Sequence, residues 1–292
     1  MDHPKNYQEL VQQLSTQDAC LDYIASIRWS AGFVCPKCGC QQFWKSNRLQ
    51  RLCAKCRRQT SVLAGTLFQD TKLPLTVWFQ MIWWFVGPKN GASALSLMQN
   101  FGIGSYRTSW KLLGKLRACT VLPLRHALSD VVEVDEAFLG GVNNKAIIVV
   151  AAEKRGKATG RIRVKHIKSR EGAEIQQFIT ETILPGSTIV SDRYKGYAAI
   201  VKKGYIHSPQ KKPYSWEEVD GDDERLLPRV HRAVSLLKRW YYGTYQGRVD
   251  KQKLQSYLDE FVFRFNRRTS GNRGLLFRRM VEAAVKTTPK PH

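Results

Sequence analysis

The sequence predicts an α+β chain of several domains, and three observations indicate this class. Helix-like apolar spacing fills most of the chain before Val131, interrupted by a short cysteine-rich segment. From about Val131 the pattern changes to apolar runs that are typical of strands. Helical spacing then returns, so strands run into helices. We expect domains at residues 1–70, 71–125 and 126–285.

The first predicted element is a pair of helices over residues 6–30. The segments NYQELVQQL and TQDACLDYIASIRW carry apolar residues at helical spacing. Ser15 or Thr16 stands where an N-cap residue would satisfy the first free backbone N–H groups of the second helix. The amino-terminal part of the first domain is therefore predicted to be helical.

The next segment is rich in cysteine. Cys35-x2-Cys38 and Cys53-x2-Cys56 form two CxxC knuckles with fourteen residues between them. Four thiolates at this spacing suit a tetrahedral zinc ion in a zinc ribbon, and metal would stabilise a segment this short. A closed four-cysteine site leaves no coordination position for chemistry, so we predict a structural Zn2+. Four unrelated buried thiols are the alternative, and Cys40 could replace Cys38 as a ligand.

Residues 72–119 alternate apolar runs with glycine breaks. The ten-residue run VWFQMIWWFV is about half the length that a membrane-spanning helix needs, so it predicts a buried helix. The turn FGIGS then separates two helix-like pieces, and the second carries Arg107, Lys111, Lys115 and Arg117. A recognition helix places such residues in the major groove of DNA. An ordinary helical hairpin with solvated basic residues is the alternative.

The third predicted domain contains the strands. They cover residues 131–140, 145–153, 161–168 and 187–191, with a helix near 171–182 and further helices after about 226. Asp135 lies within or at the end of the first strand, and Asp192 follows the apolar strand STIVS. Two carboxylates on adjacent strands can hold a pair of Mg2+ ions if they face the same side, although an aspartate alone is more often a turn or cap residue. The acidic run from Glu217 to Glu224 reads as a solvated loop.

The charge of the chain points to a polyanionic partner. Lys and Arg number 47 against 24 Asp and Glu, a formal net charge of +23, which most often indicates nucleic acid. A membrane surface is disfavoured because no long Lys-rich amphipathic helix occurs. Residues 225–280 are especially basic and interleave aromatic residues, which suits contact with phosphates; a helical core with a solvated basic rim is the alternative. The DNA contacts proposed there are Arg239, Arg264, Arg267 and Arg268.

Cysteine usage predicts the compartment. The seven cysteines are an odd number, and no apolar export signal follows the first residues. We therefore expect a reducing cytoplasm.

Six segments together resemble the transposases of bacterial insertion sequences. They occur in the expected order over about residues 6 to 280. The segments are RWSAGFVCPKCGC, CAKCRRQTSVLAGTLFQDTKLPLTVWF, VEVDEAFLGG, IVSDRYKGY, VHRAVSLLKRWYYGTYQGRV and LDEFVFRFNRR. The chain is similar to members of this group that join an N-terminal zinc ribbon to a DDE-type catalytic domain.

The resemblance implies a ribonuclease H-like domain, with a mixed five-stranded sheet flanked by helices, and a site that uses Mg2+ or Mn2+. Asp135 matches the first acid of the family and Asp192 the second. The family's third position precedes a lysine by seven residues; Lys238 is that lysine and His231 stands at the third position. Most DDE enzymes have Glu there, whereas members of this group also carry Asn or His. No motif singles out Glu133, so it is left outside the predicted site, as is Glu136.

The resemblance also implies double-stranded DNA as the partner, both the terminal inverted repeats of an element and its target. Bringing two ends together implies at least a dimer on DNA. The alternative function is a catalytically inactive, domesticated transposase that acts as a DNA-binding regulator. A plain ribonuclease H-like nuclease is a third hypothesis. The intact pair Asp135 and Asp192 favours the enzyme, and the zinc ribbon with the basic C-terminal part favours a protein that handles long DNA.

Overall fold

A computed structural model describes residues 3–47, 50–121, 126–141, 145–210 and 226–287 of the 292-residue chain. The chain divides into two compact units. The first contains Met1–Leu122 and Ser270–His292, and the second contains Pro123–Thr269. The acidic run from Glu217 to Glu224 lies outside the described residues. The division differs from the predicted domains, because the segment after residue 269 groups with the N-terminal unit although we expected it in the 126–285 domain.

Nine helices and eight strands are described. The helices are α1 (Tyr7–Gln13), α2 (Gln17–Arg28), α3 (Leu75–Val86), α4 (Ala94–Phe101), α5 (Tyr106–Ala118), α6 (Gly172–Thr182), α7 (Pro228–Tyr245), α8 (Leu254–Phe265) and α9 (Arg273–Lys286), with a 3-10 helix at Lys195–Lys203. The strands are β1 (Phe43–Asn47), β2 (Gln50–Cys53), β3 (Gln59–Ser61), β4 (Val131–Leu139), β5 (Ala146–Arg155), β6 (Ala158–Ile167), β7 (Thr188–Ser191) and β8 (Ile206–Pro209).

The first unit packs its helices around α3. That helix is apolar on nearly all sides, as the run VWFQMIWWFV predicted, and Phe79 meets Phe277 of α9 with the ring centroids 5.6 Å apart. Local caps begin the N-terminal helices: Asn6 accepts a hydrogen bond from the Glu9 N–H, and Thr16 accepts one from the Ala19 N–H. Within the described part of the chain, no helix has the length and apolarity needed to cross a membrane.

Helices α4 and α5 are joined by the predicted short turn. Gly102 ends α4 in the left-handed conformation, with φ of 59°, which glycine adopts without the steric penalty of a side chain. Ile103 is buried in the turn, and Ser105 is the N-cap residue of α5. The short turn FGIGS therefore separates two helices, as the sequence indicated.

The second unit is built on a mixed five-stranded sheet with the order β6-β5-β4-β7-β8. Neighbours are antiparallel from β6 to β4 and parallel from β4 to β8. One apolar core lies between the sheet and helices α7 and α8, and a second lies between the opposite face and α6 with the 3-10 helix. This is the five-stranded mixed sheet, flanked by helices, that the ribonuclease H-like fold requires.

Successive side chains of β4 point alternately into the two apolar cores on either face of the sheet. Val132 and Val134 belong to the core beside α6, whereas Leu139 belongs to the core beside α7 and α8. Because side chains two residues apart share a face of a strand, Glu133 and Asp135 are on the side of α7.

Candidate functional site

The four predicted zinc ligands lie together in the first unit. The Sγ atoms of Cys35 and Cys56 are 3.5 Å apart, as are those of Cys38 and Cys53. All four ligand atoms lie within 4.8 Å of one another. A tetrahedral zinc ion with Zn–S bonds of about 2.3 Å separates its sulfur atoms by about 3.8 Å, so the four thiols fit a structural zinc. Cys40 is outside the quartet, and its Sγ lies 3.7 Å from the Gln42 carbonyl oxygen.

Each knuckle is closed by its own backbone. The Gly39 N–H donates to the Cys35 carbonyl at 3.0 Å, and the Arg57 N–H donates to the Cys53 carbonyl at 3.1 Å. Gly39 and Arg57 both have positive φ, 70° and 61°, so the two turns share one geometry. The backbone hydrogen bond from Cys56 is the largest cause of a lowered pKa of Cys53, whereas the backbone hydrogen bond from Cys40 is outweighed at Cys38 by burial and the hydrogen bonds of the other three thiols, which raise the pKa of Cys38.

Asp135 and Asp192 are carried by neighbouring parallel strands of the second unit. Asp135 lies in β4, and Asp192 directly follows β7. The register pairs Glu133 with Val190, so two residues further along both strands Asp135 comes level with Asp192. Burial, then the charge of Glu136 and then those of Asp135 and Asp192 raise the pKa of Tyr197, which places both aspartates within range of one phenol.

His231 approaches Asp135 from α7. Its Nε2 lies 3.4 Å from Asp135 Oδ2, and the two side chains are 53% and 23% exposed. Lys238 is seven residues further along the same helix, which is two turns on the same face, and it is exposed. His231, at the predicted third position, therefore lies beside Asp135, the predicted first acid.

The aspartate and histidine set is more open than the cysteine quartet. Among the described residues, the four cysteines alone form a group of three or more side chains close enough to share a metal ion. Two carboxylates and one imidazole are nevertheless donors that suit a divalent cation, Mn2+ in particular for the imidazole. In donor type, Asp135, Asp192 and His231 fit Mg2+ or Mn2+.

Glu136 connects β4 to the segment that carries Asp192. Its side chain, 2% exposed, accepts hydrogen bonds from Arg170 Nη2 at 2.8 Å and from the Tyr197 hydroxyl. The Tyr194 hydroxyl donates to the Arg170 carbonyl at 2.8 Å, and the Tyr194 N–H donates to Asp192 Oδ1 at 3.0 Å. Glu136 thus belongs to the surroundings of the site, which sequence reasoning missed.

Glu133 lies on the face of β4 opposite to Glu136, and it contacts α7. Its carboxylate accepts hydrogen bonds from the backbone N–H groups of Arg229 and Val230 and from the Arg229 guanidinium. The signal in the sequence was an acid at an inward-facing position of an apolar strand, where an unpaired charge would be costly. No local pattern identified its partner, which is 96 residues away in sequence.

The basic residues of α5 divide between surface and interior. Arg107 and Lys111 are exposed and Lys115 is half-buried. Arg117 is buried, and its Nη2 donates to the Ala92 carbonyl, so the prediction that it faces DNA with the others is wrong. Trp110 of the same helix is also exposed.

The arginines predicted as DNA contacts in residues 225–280 also differ in their exposure. Arg239 is exposed. Arg264 is not a surface cation: its Nη2 lies 2.7 Å from Glu260 Oε1, and the two side chains are 8% and 0% exposed. The Arg264 guanidinium is therefore not accessible to DNA, and its prediction as a DNA contact is wrong. Arg267 and Arg268 stack over Phe263 and Phe265.

The stacked arginines also make backbone contacts. Arg268 donates to the carbonyls of Phe265 and Thr159, and Arg267 donates to the Phe263 carbonyl. Asp259 and Glu260 of α8 are buried.

A mixed sheet with two aspartates at the same level of neighbouring strands, together with a four-cysteine ribbon, is the arrangement that the resemblance to DDE-type transposases with a zinc ribbon implies. Two family models match the chain: an ISXO2-like transposase domain at residues 127–266 and a transposase zinc-ribbon domain at residues 15–59. The chain belongs to this family of insertion-sequence transposases.

Two similar proteins place the chain among its relatives. A protein of Halobacterium salinarum, described as an uncharacterized protein in transposable element ISH50, is 23% identical over 82% of this chain and 88% of its own length. The cryo-EM structure of the simian T-cell lymphotropic virus intasome with a PP2A regulatory subunit is similar at 15% identity and a TM-score of 0.32. That match covers 57% of this chain and 63% of the viral one, less than two thirds of its length, and supports no functional statement.

Proposed function

We propose that this transposase binds the terminal inverted repeats of its own element and catalyses metal-dependent DNA strand cleavage and strand transfer. The observation that carries the proposal is the meeting of β4, the end of β7 and the start of α7. His231 Nε2 lies 3.4 Å from Asp135 Oδ2, and Asp192 is level with Asp135 on the neighbouring strand.

Asp135, Asp192 and His231 would hold Mg2+ or Mn2+. When bound, the metal activates the attacking oxygen and stabilises the leaving oxygen in phosphoryl transfer. The protein's own part is to fix the ligands, and Asp192 is fixed by the N–H of Tyr194. Lys238, on the same face of α7 as His231, is placed to contact a phosphate of the bound strand.

The cysteine quartet would hold zinc for structure alone. Four thiolates complete a tetrahedral coordination shell, so no position is left for water or DNA. The zinc ribbon and the helix-turn-helix-like hairpin would then bind DNA, with Arg107, Lys111 and Lys115 on α5 and Arg239, Arg267 and Arg268 in the other unit. The net charge of +23 favours binding that weakens as salt rises.

At least two copies of the chain would act together on DNA, because two ends of an element must be joined to one target. A domesticated regulator needs neither aspartate nor the histidine. Asp135 and Asp192 are both intact and level with each other in the sheet, which supports the enzyme.

The proposal is tested with purified protein and DNA that carries the repeats flanking the coding region. We expect cleavage at the repeat ends in Mg2+ or Mn2+. Asp135→Asn and Asp192→Asn should each abolish cleavage, and both variants should bind the ends about as well as the original chain, because basic residues supply the affinity. End binding without cleavage in the original chain would support the regulator instead, and cleavage by either variant would remove that aspartate from the site.

A further inference from the structure

Helix α7 begins without a cap from its own sequence. The residue before it, Leu227, has a left-handed backbone with φ of 52° and offers no side-chain hydrogen bond. Pro228 is the first helical residue and has no N–H. The N–H groups of Arg229 and Val230 follow, and these early N–H groups have no acceptor within the helix.

Glu133 of β4 supplies those acceptors. Its Oε2 accepts from the Arg229 N–H at 2.7 Å and from the Val230 N–H at 3.0 Å. Its Oε1 accepts from Arg229 Nη1 at 2.9 Å, and the same guanidinium donates through Nη2 to the Gly156 carbonyl at 3.1 Å. One carboxylate therefore satisfies three N–H groups, with a favourable charge at the positive end of the helix.

We propose that Glu133 is the positioning residue that sets His231 against Asp135. Glu133 and Asp135 are two residues apart on one face of β4, which separates them by about 7 Å. Val230, held by Glu133, directly precedes His231, which reaches Asp135. The strand step from residue 133 to 135 therefore fixes where the helix places its histidine. This inference rests on the proposed function, in which His231 acts with Asp135.

The burial of the pair makes this connection rigid. The side chains of Glu133 and Arg229 are 5% and 9% exposed. Two ions in such a place are kept only with close geometry and satisfied hydrogen bonds, so small displacements of α7 are disfavoured. Removing the carboxylate leaves the Arg229 charge buried without its partner, which is costly for stability.

The first experiment is hydrogen exchange in the DNA-free full-length protein, which does not depend on catalysis. Glu133→Gln replaces a charged carboxylate with a neutral amide, which is a weaker hydrogen-bond acceptor. The amides of Arg229 and Val230 should therefore exchange about tenfold faster or more, while exchange in α8 stays unchanged. Glu153→Gln is the matched control: Glu153 also pairs with an arginine, Arg161, at 2.5 Å, and its carboxylate accepts from Arg161 and the Ser129 N–H rather than from α7. If the Arg229 and Val230 amides exchange at the original rate in Glu133→Gln, Glu133 does not hold the start of α7.

The second experiment compares strand cleavage by the same variants. Because a displacement of about 1 Å can slow a positioned reaction by about 100-fold, we expect Glu133→Gln to cleave about 10- to 100-fold more slowly. Glu153→Gln should cleave within about twofold of the original chain, and DNA-end binding should be equal in all three. Faster exchange in Glu133→Gln with full cleavage would overturn the positioning role. If the original chain itself fails to cleave, the proposed function fails, whereas hydrogen exchange still decides whether Glu133 anchors α7.

A double variant distinguishes an effect on the position of α7 from a general loss of folding stability. Glu133→Leu with Arg229→Met removes both buried charges, which is often tolerated in a core, but leaves the α7 N–H groups without their acceptor. It should keep a cooperative unfolding transition while losing cleavage as Glu133→Gln does. A folded double variant that cleaves at the original rate would contradict the proposal.

Discussion

The two candidate metal sites of this transposase are assembled in different ways. The cysteine site comes from two knuckles within residues 35–56, each closed by a local backbone turn. The carboxylate site takes Asp135 from β4, Asp192 from the end of β7 and His231 from α7. The first site gathers its ligand atoms within 4.8 Å, whereas the second takes its members from three elements and leaves the His231 side chain 53% exposed.

This difference separates a structural site from one that can admit a substrate. A quartet of thiolates is complete in itself and stabilises a small segment that has little apolar core. Two carboxylates and an imidazole leave room for water and phosphate oxygens around a hard cation. The geometry of the open site therefore depends on side chains that are not ligands, including Glu133 and Glu136.

The largest expected effect is on the zinc ribbon. Cys53→Ser should remove about one zinc per chain and unfold the ribbon, because the metal's binding free energy is also folding free energy. Elemental analysis and proteolysis of residues 15–59 measure this. Cys40→Ser is the matched control and should keep its zinc, since Cys40 lies outside the quartet. Loss of zinc in Cys40→Ser would mean that the ligand set is wrong.

The next effect concerns His231. His231→Ala should lose nearly all cleavage, about 100-fold or more, because the third ligand is gone. His231→Glu should recover part of the rate, most clearly in Mg2+, since a carboxylate suits Mg2+ better than an imidazole does. Cleavage assays with each metal check this. Full activity of His231→Ala would exclude a ligand role.

A smaller effect distinguishes surface cations from internal ones. Replacing both Arg107 and Lys111 with Ala should weaken DNA binding and reduce the slope of log affinity against log salt by about one unit per lost phosphate contact. Arg264→Met is the control: its guanidinium is paired with buried Glu260, so it should lower stability and leave the slope unchanged. An unaltered slope in the double variant would argue against α5 as a DNA contact.

The smallest effect lies at Glu153, a residue of neither site. Burial would raise its pKa, but the hydrogen bonds and charge of Arg161 lower it. A carboxyl with a lowered folded-state pKa stabilises the fold above its unfolded pKa, and that contribution disappears as the pH falls through the folded pKa. Glu153→Gln should therefore cost at most about 1 kcal/mol at pH 7, since Arg161 is 39% exposed and water screens the pair. Urea unfolding should show a smaller difference between the two chains at pH 3, and a constant difference would contradict this account.

How much the sequence could predict follows the same division. The zinc ligands, the α4–α5 hairpin and the buried helix α3 each depend on neighbours along the chain, and spacing was sufficient for them. The role of Glu133 depends on an arginine 96 residues later, and that of Glu136 on Arg170 and Tyr197, so no local pattern could identify either.

The errors have the same origin. Arg264 was predicted as a DNA contact because it lies in a very basic part of the sequence, but its guanidinium pairs with Glu260 and both side chains are buried. Helix α9 follows the strands in sequence, yet it packs on α3 through Phe277, which only long-range contacts decide.

The central claim is that a closed zinc site and a separate open site do different work. It is tested most directly by treating the protein with a chelator that strips weakly bound Mg2+ and Mn2+, and then measuring zinc content and cleavage of repeat-end DNA in the same sample. We predict about one zinc retained per chain, no cleavage, and full recovery when Mg2+ or Mn2+ alone is restored. Asp135→Asn should retain the zinc and recover nothing. Cleavage that persists without Mg2+ or Mn2+, or that returns only when zinc is added, would contradict the account.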